Sequence, residues 1–273
     1  MTLSDTKHPP LMQDKNQTKS NAQPEVPILE RFTDRAHEYV AHRPDYPAPA
    51  IDALLAGLPN PGTLTVADIG AGTGISARLV ADRGPRVIAI EPNAAMRAAA
   101  APHPRVSWLH ATAEHTTLPE SSVDLVLCAQ SFHWMRRDEA LDEFRRILRP
   151  PPRGRVALLW NIQDHDDPFT REYADILRRS AVRPVASPSL AGRPAGFAND
   201  VRWTGARTLE FPHAQSLDEP GLLGRAVSAS YTPKDGPRHA DMAAALRDAF
   251  NRAAQNCVVT LRYRTILDLA ERA

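Results

Sequence analysis

Between residues 64 and 160 the chain repeats one rhythm, a short apolar run followed by a segment with helical spacing, and that rhythm leaves few folds open. The runs "LTVADI", "RVIAI", "VSWLH", "VDLVLC" and "RVALLW" are nearly continuous in apolar residues, and the segments "ISARLVADRG", "NAAMRAAA" and "DEALDEFRRILRP" carry helical spacing. A strand without a polar face is covered on both sides. Strands of this kind separated by helices predict a parallel sheet with helices on each face. Two further strands, "ARTLEF" and "VVTLRYRTIL", flank helices at about 218–229 and 238–254 and would complete the sheet.

Ahead of this unit, "ILERFTDRAHEYVAHRPDYPAPAIDALLAGLPNPG" reads as a short helix, a Pro-bracketed turn at Arg43 to Pro49, and an amphipathic helix through Ile51, Leu54, Leu55 and Leu58. Residues 28–60 thus form an N-terminal helical lid on a single domain spanning 28–273, preceded by a disordered leader, 1–27. The helix from Asp138 is sharply defined: Asp138 caps it, Leu141, Phe144 and Leu148 share a face, and Pro150 stops it. Arg145, Arg146, Arg149, Arg153 and Arg155 crowd its end, where a helix dipole welcomes cations, and read as a solvated face. Beyond Trp160 the rhythm breaks, and residues 162–200, Pro-rich and polar around one helix, read as an insertion or cap.

A formal net charge of +1 supplies no large field to steer nucleic acid or an anionic membrane, so a small-molecule partner is expected. Cys128 and Cys257 stand far apart without metal-ligand spacing, so neither a disulfide framework nor a metal site is expected. The leader lacks the apolar centre of a secretory signal, and no stretch approaches the roughly 20 apolar residues of a membrane span. A cytoplasmic protein, monomer or homodimer, is the expectation.

The sharpest chemical signal is "VADIGAGTG", with Gly70, Gly72 and Gly74 at the end of the first strand and Asp68 just before them. Glycines there turn the chain tightly and let a ligand approach bare backbone at the carboxyl edge of the sheet. A dinucleotide fingerprint would need a glycine where Ile75 stands, and Asp68 is a poor neighbour for a pyrophosphate. S-adenosylmethionine has the adenosine without the phosphates, and its sulfonium and ammonium groups welcome a carboxylate. Glu91, following the second strand in "IAIEP", is placed to accept both ribose hydroxyls.

On these residues, together with "ATAEHTTLP" and "CAQSFHWM", the chain resembles the class I S-adenosylmethionine-dependent methyltransferases, in particular a small-molecule branch with an "AE-LP" loop and an "FHW" segment. The resemblance covers roughly residues 30–165. It implies a Rossmann-like, doubly wound, mostly parallel seven-stranded sheet. It also implies that the backbone of Ala113 and the side chain of Glu114 lie near the adenine, and that Gln130 faces the methionine moiety. In "EYVAHRPDYP" it implies that Tyr39 covers the cofactor and Arg43 meets its carboxylate through a charge-assisted bond. Thr112 stands where many relatives carry Asp.

For the chemistry itself, Asn161 at the end of the fifth strand and His133 after the fourth are candidates to orient an acceptor, and Tyr173 and Tyr231 to line its pocket. Two reactions stay open on the resemblance: methyl transfer to a small acceptor, and attack of the amino group of S-adenosylmethionine on its own side chain to give azetidine-2-carboxylate and methylthioadenosine. A non-catalytic binding module is a third reading. Methylation of nucleic-acid amino groups is disfavoured, because "AQSFHW" stands where such enzymes carry an Asp/Asn-Pro-Pro-aromatic run.

Overall fold

The computed structural model describes residue 40, residues 42–183 and residues 196–273; the expected leader, Tyr39 and part of the expected cap lie outside the described residues. Seven strands form one sheet: β1 (Thr65–Ile69), β2 (Arg86–Ile90), β3 (Val106–Leu109), β4 (Leu125–Ala129), β5 (Arg155–Gln163), β6 (Trp203–Leu217) and β7 (Val259–Arg272). Their spatial order is β3-β2-β1-β4-β5-β7-β6. The first five run parallel, and β7 enters antiparallel between β5 and β6. The mostly parallel, doubly wound sheet is therefore as the sequence rhythm predicts.

The helices α1 (Ala48–Leu55), α2 (Ile75–Ala81), α3 (Ala94–Ala98) and α4 (Arg137–Ile147) accompany the parallel half. Alternation along the strands divides two cores. Ala67, Ile69, Val126, Cys128 and Leu158 pack with Leu141, Phe144 and Ile147 of α4, whereas Val66, Leu125, Leu127 and Leu159 pack with Ile51 and Leu54 of α1 and Val80 of α2. Both faces are apolar because both are covered. The winding runs outward from β1 to β3, then returns to β4 on the other side of β1, so the chain diverges at the carboxyl ends of β1 and β4. A crevice at such a reversal is where open α/β sheets bind ligands.

Several expectations are corrected. α4 begins at Arg137 with Arg136 in the cap position, and Asp138 sits in its first turn, where its carboxylate meets Arg202 at 2.9 Å instead of capping the helix. The arginines at and beyond the end of α4 are not all a solvated face. Arg146 pairs with Glu143 at 2.7 Å and Arg149 with Asp124 at 3.1 Å, while Arg155 is buried and donates through Nη1 to the carbonyls of Leu54 (2.9 Å) and Ala56 (2.8 Å). It thereby ties off the open end of α1, whose last carbonyls have no helical partner. β5 continues past Trp160 to Gln163, so Asn161 lies inside the strand, opposite Thr265, and does not close it.

The segment expected as a cap contributes α5 (Pro168–Ser180), started by Asp167, whose Oδ2 accepts from the Thr170 amide at 2.8 Å. α5 buries Tyr173, Ile176 and Leu177 against α6 (Glu219–Val227), α7 (Gly236–Ala253) and the inner face of β7, a third core around Leu222, Leu246 and Leu261.

Candidate functional site

The turn after β1 is built for close approach. Gly70, Gly72 and Gly74 have φ of +67°, +58° and +75°, a region that residues with a Cβ rarely enter. A Cβ on Gly70 would stand 2.6 Å from the Cβ of Ser131, whose hydroxyl donates to the Ile69 carbonyl at 2.7 Å. Here the ends of β1 and β4 meet with no room for a side chain.

Glu91 emerges just past β2 and is held by two amides: Gly72 N donates to Oε2 at 2.9 Å and Asn93 N to Oε1 at 2.8 Å. Each carboxylate oxygen keeps a further acceptor position, so the pair is pre-oriented toward two hydroxyls. Burial pushes the Glu91 carboxyl above its usual range, with the two amide bonds opposing. It lines a cavity whose apolar surfaces are Met96, Trp134 and Met135 and whose rim carries Thr112 and Glu114, dimensions and chemistry that suit a purine riboside. Glu114 is fixed by the Arg136 amide, which donates to it at 2.9 Å. Ala113 is buried with its side chain in the core beneath, between the two rim residues.

A second cavity continues from the first, the two sharing Gly70, Ala129, Gln130 and Trp134. Gln130 has φ of +57°, a strained conformation for a residue with a side chain, secured by its amide to the Leu159 carbonyl (2.9 Å) and by Nε2 to the Asn161 carbonyl (2.8 Å). Arg43 lines this cavity and donates from Nη2 to the Ser228 carbonyl at 3.1 Å. His133, in a short helical turn, faces the cavity with its ring centroid 4.5 Å from that of Trp134; burial and the nearby Arg43 charge push its pKa down to about 4, so the ring is neutral. Tyr231 is half-buried in the wall.

Three expected roles change. Asp68 is fully buried beneath the glycine turn, where Oδ2 accepts from the Ser76 hydroxyl at 2.7 Å, so it braces the start of α2 and does not line the cavity. Its other oxygen has no hydrogen-bond partner, and burial pushes the carboxyl up to about 7. Asn161 reaches the cavity, but its amide is engaged at both ends: Nδ2 donates to the Asp45 carbonyl at 2.7 Å and Oδ1 accepts from Thr265 at 2.6 Å. It anchors the segment before α1 in place of offering a free amide to an acceptor. Tyr173 is buried in the third core with its hydroxyl toward Arg225 and does not reach the cavity wall.

The structure adds Tyr46, Arg225 and Tyr263 to the wall. Arg225 had a local signal, a lone charge on the apolar face that α6 presents through Leu222 and Ala226. Tyr263 had only strand alternation between Arg262 and Arg264.

Comparison with known proteins agrees with this geometry. A family profile described as a methyltransferase domain matches residues 67–157. An uncharacterized methyltransferase of Mycobacterium tuberculosis is 40% identical over 153 residues, 54% of this chain; the alignment spans only 59% of that relative's own length. A trans-aconitate 2-methyltransferase of Azoarcus sp. is 31% identical over 179 residues, covering 62% of this chain and 69% of that protein. Among solved structures, a protein of Anaeromyxobacter dehalogenans provisionally assigned as a type II methyltransferase superposes with a TM-score of 0.59 at 27% identity, covering 85% of this chain and 98% of the other.

Proposed function

Because the chain belongs to the class I S-adenosylmethionine-dependent methyltransferases, we propose that it transfers the cofactor's methyl group to a small-molecule acceptor held beside Gln130. One observation carries this: two cavities of different chemistry join at Gly70, Ala129, Gln130 and Trp134, one suited to a nucleoside and the other lined by Arg43, His133, Arg225 and tyrosines. The cofactor fits the cradle that the glycines leave open and the two free acceptor positions of Glu91. When bound, it supplies an electrophilic methyl group on a cationic sulfur.

The protein's part is positioning and exclusion of water. Glu91 holds the ribose, Met96 and Met135 sandwich the base, and Arg43 is placed for the amino-acid carboxylate. Neutral His133 and the tyrosines of the second cavity orient the acceptor. A relative named for action on trans-aconitate supports an acceptor of metabolite size.

The test is product analysis after incubating the full chain with S-adenosylmethionine, with and without a fractionated small-metabolite extract. S-adenosylhomocysteine is expected only when extract is present. Methylthioadenosine from S-adenosylmethionine alone would overturn methyl transfer in favour of cyclisation, and absence of both products would leave a binding module.

A further inference from the structure

The second cavity contains a charge for which the described residues supply no carboxylate partner. Arg225, on α6, is 7% exposed, and a guanidinium stays protonated at any physiological pH. Its Nε has no hydrogen-bond partner, and its neighbours are hydroxyls: Tyr263, and Ser228 at 3.5 Å from Nη1. Among the described residues no carboxylate is found among the groups acting on it. What surrounds it are the phenols of Tyr173, Tyr231 and Tyr263, polar but neutral. A buried charge left without a counter-ion is costly, and proteins keep one where a ligand supplies the partner.

The rest of the wall has the same character. Arg43 and Arg225 both face the cavity, and no Asp or Glu does among the described residues lining it. S-adenosylmethionine brings one carboxylate, for which Arg43 is placed, and Arg225 can meet a second anion. Among the described residues the wall also lacks Lys and Cys, leaving serine and tyrosine hydroxyls, amides and a histidine weakened as a base by burial. An acceptor that first had to lose a proton would find little help here, whereas a carboxylate arrives without one to remove.

Resting on the methyltransferase reading above, we propose that the acceptor is a small carboxylate, seated on Arg225 and flanked by Tyr231 and Tyr263. A guanidinium fork matches a carboxylate with two parallel bonds, and the Tyr231 phenol stands beside it in the same wall.

Calorimetry on the full chain saturated with S-adenosylhomocysteine tests this, with benzoate, succinate and citrate as probes and benzamide and succinamide as neutral counterparts. At least one carboxylate is expected to bind saturably, about 30-fold or more tighter than its amide, with Arg225→Met abolishing that binding and Arg225→Lys retaining part of it. Affinity for S-adenosylhomocysteine is expected to stay within about twofold in both variants. Equal binding of acids and amides overturns the proposal even if the variants fail to fold, as does failure of every acid at about 10 mM. A parallel loss of S-adenosylhomocysteine affinity in Arg225→Met would instead assign Arg225 to the cofactor's own carboxylate and also overturn it. Failure of the unaltered chain to bind S-adenosylhomocysteine would sink the methyltransferase reading, a separate result seen before any acid is added.

Discussion

At the scale of single residues, Glu91 and Asp68 show how one acidic side chain can line a cavity and another brace it from behind. Glu91 spends one acceptor position per oxygen on backbone amides and keeps the rest for the cavity. Glu91→Ala should therefore weaken S-adenosylmethionine binding by about 10- to 100-fold, the worth of a charge-assisted hydrogen bond or two, as read by titration calorimetry. Asp68, raised to about 7 by burial, with the Ser76 bond opposing and the Glu91 charge adding, keeps its proton in the folded chain between about pH 4 and pH 7 where the unfolded chain has lost it. Its contribution to stability is thus largest below that window and falls as pH rises through it. His133 works the other way: lowered to about 4, it costs stability as pH falls from about 6.5. Asp68→Asn separates the two. The stability of the unaltered chain relative to this variant should drop by roughly 3 kcal/mol between pH 5 and pH 8 in urea melts, and a flat or rising difference would contradict the burial of Asp68. The glycines and Glu91 were legible in sequence because backbone turns and strand-end acids are local. The cation at Arg225 was not read as a site residue, because its partners Tyr173, Tyr231 and Tyr263 come from three other segments.

At the scale of elements, the site depends on how strand ends and helix ends are joined. Gly70→Ala would place a methyl group against Ser131 and force an alanine into the left-handed region, for a loss of at least about 1–2 kcal/mol and a misaligned junction of β1 and β4. Thermal melts and S-adenosylmethionine titration should both register it. Arg155→Met should cost roughly 2–3 kcal/mol in urea melts by stranding the Leu54 and Ala56 carbonyls at the end of α1, with little effect on cofactor affinity. The parallel strands could be read from sequence because both faces of each are buried. β6 could not be bounded, because as an edge strand it exposes residues such as Arg207 and Glu210 and breaks the apolar run. The helix in the segment read as an insertion or cap was legible as α5, but not that its face through Tyr173, Ile176 and Leu177 belongs to a core, because the partners of that face lie on α6, α7 and β7.

At the scale of the whole molecule, the described chain places two joined cavities along the carboxyl edge of the sheet, with Glu91 and Glu114 lining one and Arg43 and Arg225 the other. Among the described residues no helix is long and apolar enough to cross a membrane. A ligand that binds only the folded form stabilises it in proportion to the logarithm of its concentration, by about 2.7 kcal/mol at a hundred times its dissociation constant. The most direct measurement is therefore a calorimetric titration of the full chain with S-adenosylmethionine, repeated with the oxidised nicotinamide dinucleotide. Saturable one-site binding of S-adenosylmethionine, lost or greatly weakened in Glu91→Ala, with no heat from the dinucleotide, is the predicted result. Absence of S-adenosylmethionine binding, or preference for the dinucleotide, would contradict it.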